Sequence, residues 1–260
     1  MLEKLLSVIG AYRLYEKWLW QQVGNGQKIE HIAMILDGNR RWAVENELNP
    51  WLGHEKGAET VEKLIDWCEK LDVKFLTLYA FSIENFRRPR QEIEEIMRIA
   101  EEKFRKLLTD ERIHKNKIHV KVIGSVNMLP DNLQQLIADV EKATEAYDRR
   151  FLNFAFAYGG RAEILDAAKT IACKVKNREL RLEDIDESTF EKYLYTSHMP
   201  NQEPDLIIRT SGEERLSGFL LWQAAYSELC FLDVYWPEFR FIDLLRAIRT
   251  FQRRKRRFGT

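Results

Sequence analysis

Cysteine is scarce in this chain. Cys68, Cys173 and Cys230 are the only three, odd in number and far apart, so there is neither a disulfide framework nor the paired spacing of a zinc site or dithiol motif. Their apolar surroundings predict free, buried thiols and a cytoplasmic setting. Proline and glycine are also thin, at 6 and 12 of 260 residues, and no tract of them marks a linker; with no repeat, one domain is the simplest account. No apolar run suits a bilayer, since the longest, 219–236, contains Gln223, Glu228 and Asp233. The first residues are interrupted by Glu3, Lys4, Arg13, Glu16 and Lys17, which argues against a secretory signal. Net charge is absent too: 41 basic residues balance 41 acidic ones. A general nucleic-acid binder would carry an excess of positive charge, so any phosphate affinity must come from local clustering. The five histidines lack metal-ligand spacing, and neither G-x-x-x-x-G-K-[ST] nor G-x-G-x-x-G after the first strand occurs, which argues against ATP and NAD.

What is present is 45% apolar content, enough for a sizeable core, arranged in an alternating rhythm. Runs rich in β-branched and aromatic residues at 31–36, 74–81, 118–123, 151–157, 205–209 and 229–234 predict six strands. Helical patterns at about 54–71, 90–108, 131–147, 161–176 and 217–227 lie between them. This rhythm predicts an α/β fold, a single domain with a mainly parallel six-stranded sheet flanked by helices. Residues 1–28 read as an amphipathic helical extension, with Leu2, Leu5, Leu6, Ile9, Trp18 and Leu19 on one face, before a body at 29–260. That face would pack on the body or lie on a membrane. The tail "RRKRRFGT" reads as a solvated helix end or a headgroup patch.

In open parallel sheets, ligands bind beyond the carboxyl ends of the strands. Those ends carry Asp37-Gly38-Asn39-Arg40-Arg41, Ser82-Ile83-Glu84-Asn85, Gly124, Tyr158-Gly159-Gly160-Arg161 and Arg209-Thr210-Ser211-Gly212. Around Asp37 two readings stay open. In one, the Gly38–Trp42 turn and its arginines cradle an anion while Asp37 recruits a divalent cation to it. In the other, Asp37 caps the next segment and the arginines are solvated. In "SIENFRRPR", Arg88 and its neighbours suit either an anion or a charged loop ended by Pro89. In "RTSGEERLSGFLLWQ", Arg209, Arg215 and Ser217 offer forked donors for phosphate, unless Glu213 and Glu214 pair with the arginines. Along 90–108, Ile93, Ile96, Met97, Ile99, Ala100 and Phe104 recur at helical spacing; core packing is the simpler reading and a hydrophobic tunnel the alternative. His54, after Gly53, reads as a helix-start residue.

Taken together, "HIAMILDGNRRWA", "LGHEKGAE", "LTLYAFSIENFRRP", "YGGRAEI", "DLIIRTSGEERLSGFLLWQ" and "YSELCFLDVYWPEF" resemble, in order and spacing, the cis-prenyltransferases, the undecaprenyl and dehydrodolichyl diphosphate synthase family. The phrase "RTSGEERLS" is closer to archaeal and eukaryotic members. The resemblance implies repeated addition of isopentenyl diphosphate to a farnesyl or geranylgeranyl diphosphate, with Mg²⁺, a homodimer, a hydrophobic tunnel and peripheral contact with a membrane, and no nucleic acid. The product would be a Z-polyprenyl diphosphate, precursor of a glycosyl carrier lipid. By position, Asp37 would hold the metal, with Glu228 assisting from the same chain or a dimer partner. Gly38, Asn39, Arg40, Arg41, His54 and Arg88 would line the allylic diphosphate site. Arg209, Arg215 and Ser217 would bind isopentenyl diphosphate, and Ser82 and Asn85 would orient it for proton loss. Trp42, Glu84 and Phe86 fall in the same motifs and are carried over as substrate-binding candidates. Three positions depart from common bacterial members: Pro50-Trp51-Leu52 lacks an arginine, Glu214 stands for a histidine, and Phe86 for a tryptophan. A non-catalytic partner subunit of the same fold is the rival reading; such subunits lose the acid and arginines that this chain retains.

Overall fold

The run at 31–36 becomes β1 (His31–Ile35), all five residues of which are buried, as a strand covered on both faces requires. The computed structural model describes residues 10–254; Leu2, Leu5, Leu6 and Ile9, and the tail beyond Arg254, lie outside the described residues. The other strands form where their apolar runs predict them: β2 (Phe75–Ser82), β3 (Ile118–Ile123), β4 (Arg150–Tyr158), β5 (Leu206–Arg209) and β6 (Glu228–Phe231). They make one sheet in the order β3-β4-β2-β1-β5-β6, and every pairing is parallel.

Helix α1 (Ala11–Gly24) precedes β1. After it come α2 (Asn39–Glu45), α3 (Pro50–Lys70), α4 (Arg90–Leu107), α5 (Glu111–Lys115), α6 (Asp131–Thr144), α7 (Gly160–Lys176), α8 (Glu187–Glu191) and α9 (Phe241–Arg253). Side chains alternate across the strands, so Ile32 and Met34 of β1 enter the larger apolar cluster with α3, α4, α6 and α9. Ala33 and Ile35 enter a smaller one on the other face. Leu19 and Val23 of α1 belong to the larger cluster, and α9 holds α1 through Gln252, whose Nε2 donates to the Val23 and Gln27 carbonyls. No described helix is long and apolar enough to cross a membrane.

The structure corrects three expectations. Residues 217–226 are turns, not a helix, because Ser217, Gly218 and Leu220 have left-handed backbones (φ 49, 80 and 46°). The Gly218 carbonyl accepts from Gly160 N–H at 2.9 Å instead of serving a helical turn. The apolar residues that suggested a helix, Phe219 and Leu220, cover the smaller cluster directly. Helix α9 was not anticipated, although it presents Ile242, Leu244, Leu245, Ile248 and Phe251 to the core. Finally, the three thiols are free, but Cys173 lies on the solvent side of α7 while Cys68 and Cys230 are buried.

The topology fixes where a ligand belongs. From β1 the chain crosses to β2 on one side, and β5 returns on the other before β6 extends outward, so the crevice opens between the ends of β1 and β5. Beside it, the β2–β4 register shifts between Tyr79 and Phe81 and again before Ser82. Such an irregularity re-aims side chains at a sheet edge, and it leaves Ala80 exposed within an otherwise buried strand.

At the opposite end of the sheet, burial lowers His31 to about 3, against a partial rise from the Glu203 backbone. Burial, with His119 and Lys121 adding repulsion, lowers His198 to about 4. Both are neutral when folded and take up a proton near 6.5 when unfolded. The unfolded chain therefore binds more protons below that pH, and stability drops by about 1.4 kcal/mol per pH unit for each histidine. Denaturant titrations between pH 6.5 and 5 are expected to show that combined slope, and His198→Gln to remove about one proton's share.

Candidate active site

Asp37 stands two residues beyond β1 and is clamped from β5. Its backbone N–H donates to Thr210 Oγ1 (3.0 Å), and that hydroxyl donates to the Asp37 carbonyl (2.7 Å). Arg209, the last residue of β5 and 4% exposed, donates from Nη2 to Asp37 Oδ2 at 2.8 Å. Its Nη1 donates to Ser217 Oγ at 2.8 Å and to the Arg215 carbonyl. Gly38 N–H donates to Asp37 Oδ1 at 2.7 Å. Gly38 itself has φ 103°, and a Cβ there would lie 2.7 Å from the Tyr235 ring, so only glycine turns the chain here. Burial opposes the charge of Asp37, but Arg209, Arg41 and the Gly38 N–H together hold its carboxyl below the usual range. It is an anion at neutral pH.

Arg41 lies 3.5 Å from Asp37 Oδ1 and donates to Ser211 Oγ at 2.6 Å. The ends of β1 and β5 and the start of α2 thus converge in one cleft of about 1320 Å³, whose polar lining also includes Arg40, His54, Ser82, Glu84, Asn85 and Arg88 and whose apolar lining includes Tyr79, Phe81, Leu165 and Leu221. That exceeds the roughly 300–1,000 Å³ of a single small-ligand pocket. Ser82 and Asn85 cap the short turn Ile83–Arg87 reciprocally: Ser82 N–H donates to Asn85 Oδ1 at 3.0 Å, and the Ser82 hydroxyl accepts from Asn85 N–H. With Oδ1 used, Asn85 offers its amide N–H groups to a ligand and is no base.

Leu36, Asn39, His54 and Ala80 border both the cleft and a second, apolar cavity of about 140 Å³ between α3 and α4. Val61, Ile65, Ile96, Ile99, Phe104 and Phe156 line it. The helical spacing along 90–108 therefore builds core and cavity wall at once. Gly53 and Gly57 let α3 approach this neck: a Cβ on Gly53 would fall 2.0 Å from the Asn39 carbonyl oxygen, and one on Gly57 2.3 Å from Asn39 Oδ1.

Several candidates sit elsewhere. Trp42 donates from Nε1 to Glu238 at 3.2 Å, and Phe86 packs edge-on against Phe81 at 4.9 Å between ring centroids; neither lines the cleft. Arg215, 62% exposed, pairs with Glu213 at 2.5 Å, and Glu213 also meets Arg41 at 3.3 Å. Arg209 avoids both glutamates and takes Asp37 instead. Glu228 begins β6, level with Leu206 and Ile32, and pairs with Arg254 at 2.7 Å. It is about five strand residues, roughly 17 Å, from the level of Asp37, so one chain does not bring the two carboxylates together. Among the described residues no cluster of three or more metal-binding side chains exists. One residue went unnoticed in the sequence: Glu92 of α4, 6% exposed, takes His54 Nε2 at 3.2 Å and Arg88 Nη1 at 3.0 Å on Oε1. An acid in a helix's first turn gives no sequence signal that it is buried among cations.

The sequence model of the undecaprenyl diphosphate synthases matches residues 35–259. The chain belongs to this family of cis-prenyltransferases. It is 52% identical over 254 residues to the tritrans,polycis-undecaprenyl-diphosphate synthase (geranylgeranyl-diphosphate specific) of Methanopyrus kandleri, covering 98% of this chain and 93% of that one. The enzyme of the same name from Pyrococcus horikoshii is 51% identical over 249 residues, 96% of this chain and 94% of the relative. Among solved structures, lavandulyl diphosphate synthase from Lavandula x intermedia, in complex with dimethylallyl diphosphate, superposes with a TM-score of 0.84 at 37% identity, over 90% of this chain and 99% of that one. This cis-prenyltransferase thus has the single parallel α/β sheet that its sequence predicts.

Where the cleft meets the apolar cavity, Gly57 lies against Asn39 with no room for a Cβ. Gly57→Ala is expected to shift Asn39, cost about 1–3 kcal/mol of stability from overpacking and lower prenyl transfer at least tenfold. Melting curves and steady-state kinetics on the same preparation measure both.

Proposed function

We propose that this prenyltransferase adds isopentenyl diphosphate repeatedly to geranylgeranyl diphosphate, giving a long Z-polyprenyl diphosphate of the kind that serves as a glycosyl carrier precursor. The observation that carries the reading is that an arginine-bearing cleft and an apolar cavity lie side by side and share Leu36, Asn39, His54 and Ala80 as lining. A diphosphate head and an isoprenoid tail need those two environments side by side. The curated archaeal relatives named geranylgeranyl-specific support the choice of primer.

In this reading the allylic diphosphate occupies the Asp37–Arg41 and Arg88 side of the cleft, and isopentenyl diphosphate occupies the Arg209 and Ser217 side. The donor set fits Mg²⁺ shared with a substrate: one ionised carboxylate, partly open to the cleft, suits a hard ion completed by phosphate oxygens and water rather than a protein cage. Asp37 would hold the ion, which when bound supplies charge neutralisation to the leaving diphosphate. The chain's own groups do the rest. As the allylic carbon–oxygen bond breaks, its electron pair stays on diphosphate, where Arg40, Arg41 and Arg88 stabilise the growing charge. Arg209 and Ser217 hold the isopentenyl double bond against the cationic carbon. The new carbon–carbon bond forms, and the proton then lost from the isopentenyl unit passes to a phosphate oxygen, with Asn85 and Ser82 fixing the unit's orientation. The apolar neck keeps water from the cation.

The assembly is read as a homodimer in which Glu228 of the partner subunit joins Asp37. A water-insoluble product would leave at a membrane surface from a cytoplasmic enzyme, and the exposed Leu14 and Trp18 of α1 offer apolar contact there.

Transfer of radiolabelled isopentenyl diphosphate with geranylgeranyl diphosphate into a butanol-soluble product should require Mg²⁺ and fall about 10³-fold in Asp37→Ala; an unchanged rate rejects the role of Asp37. Inactive Asp37→Ala and Glu228→Ala chains, mixed so that subunits exchange, should recover about a quarter of wild-type activity if each site draws on both subunits. No recovery would place Glu228 outside the site.

A further inference from the structure

Glu92 is the third residue of α4 and is almost fully buried, 6% exposed. An acidic side chain in a first helical turn ordinarily faces solvent and gains a little from the helix dipole. Here a single oxygen, Oε1, meets basic side chains from three segments: His54 Nε2 of α3 at 3.2 Å, Arg88 Nη1 of the preceding turn at 3.0 Å, and Arg40 Nε of α2 at 3.7 Å. A buried carboxylate beside two guanidinium groups and an imidazole costs desolvation and is retained only if its partners hold it. They do: burial opposes its charge, and His54, Arg88 and Arg40 together outweigh that and keep the carboxyl below its usual range. Burial likewise works against the charge of Arg88, and Glu92 is the main group that restores it.

We propose that Glu92 is the positioning residue of the allylic diphosphate pocket, holding Arg88, Arg40 and His54 aimed into the cleft before substrate arrives and fixing His54 as a doubly protonated donor to the departing diphosphate. The inference rests on the placement of that diphosphate in the polar cleft. His54 is 14% exposed and borders the cleft; its Nε2 is committed to Glu92, and Nδ1 has no hydrogen-bond partner among the described residues. A ring with a carboxylate at Nε2 and a diphosphate oxygen at Nδ1 has an acceptor at each nitrogen, so it carries both protons. No proton moves in the step. The carbon–oxygen bond breaks, its electron pair remains on diphosphate, and the hydrogen bond from Nδ1 strengthens as that charge grows. Glu92 also offsets repulsion among the clustered cations, so the anion enters a site already assembled.

The test uses Glu92→Gln, which keeps the size of the side chain and an acceptor oxygen but loses the charge. Because removal of an anion does not weaken attraction for another anion, KM for geranylgeranyl diphosphate and the Kd of inorganic pyrophosphate should stay within twofold or tighten, while kcat falls at least tenfold. In ¹⁵N-histidine spectra of the wild-type protein saturated with inorganic pyrophosphate and Mg²⁺, both His54 nitrogens should resonate as protonated, and one should become unprotonated in the variant. A variant with wild-type kcat and only a lowered melting temperature would assign Glu92 to helix stability and overturn the proposal. An unprotonated His54 nitrogen in the wild-type complex would overturn it even if the variant does not fold. Failure of pyrophosphate to compete with geranylgeranyl diphosphate in the wild type would instead remove the pocket assignment, and this inference with it.

Discussion

A carboxylate and a guanidinium, Asp37 and Arg209, are held 2.8 Å apart at the ends of two adjacent parallel strands, and the site depends on that pair. Arg209 is nearly inaccessible, so its charge needs a fixed partner. Asp37 supplies it with one oxygen and leaves the other to Gly38 and Arg41. Thr210 locks the two strand ends through two further hydrogen bonds. A dense group of like charges is therefore stable without ligand because an acid sits at its centre, and the same acid suits a cation shared with phosphate. Glu92 repeats the arrangement beside the cleft, with His54, Arg88 and Arg40 in place of Arg209 and Arg41.

Between these two anchored clusters the chain changes from polar to apolar over very few residues. Asn39, His54, Leu36 and Ala80 touch both environments. Two features make this abrupt change possible. The bulged register between β2 and β4 opens the small side chain of Ala80 to the cleft, and glycines at 53 and 57 let α3 lie against Asn39 with no intervening methyl group. Between α3 and α4 that apolar side is lined by Val61, Ile65, Ile96, Ile99 and Phe104.

The strands and most helices were legible in the sequence because burial on a parallel sheet imposes a local period that any window of residues displays. The failures have a physical pattern. Residues 217–227 looked helical because Phe219, Leu220 and Gln223 are buried, yet their burial comes from covering a sheet face with turns, which periodicity does not distinguish from a helix. Cys173 was read by its neighbours rather than by its own side of α7. Trp42 and Phe86 are used by the fold, and Arg215 is turned to Glu213, although all three lie within the motifs that suggested them as candidates.

By itself, then, the sequence determined the elements, their alternation and the strand ends at which chemistry gathers, since each depends on residues close together in the chain. Only the tertiary structure decided which charges meet. Asp37 and Arg209 are 172 positions apart and His54 and Glu92 are 38 apart, and no local rule chooses among 41 basic and 41 acidic residues the few that are brought into contact. The strand order sets β5 beside β1 and so joins Asp37 to Arg209, while the register places Glu228, at the start of β6, toward the far end of the sheet from Asp37.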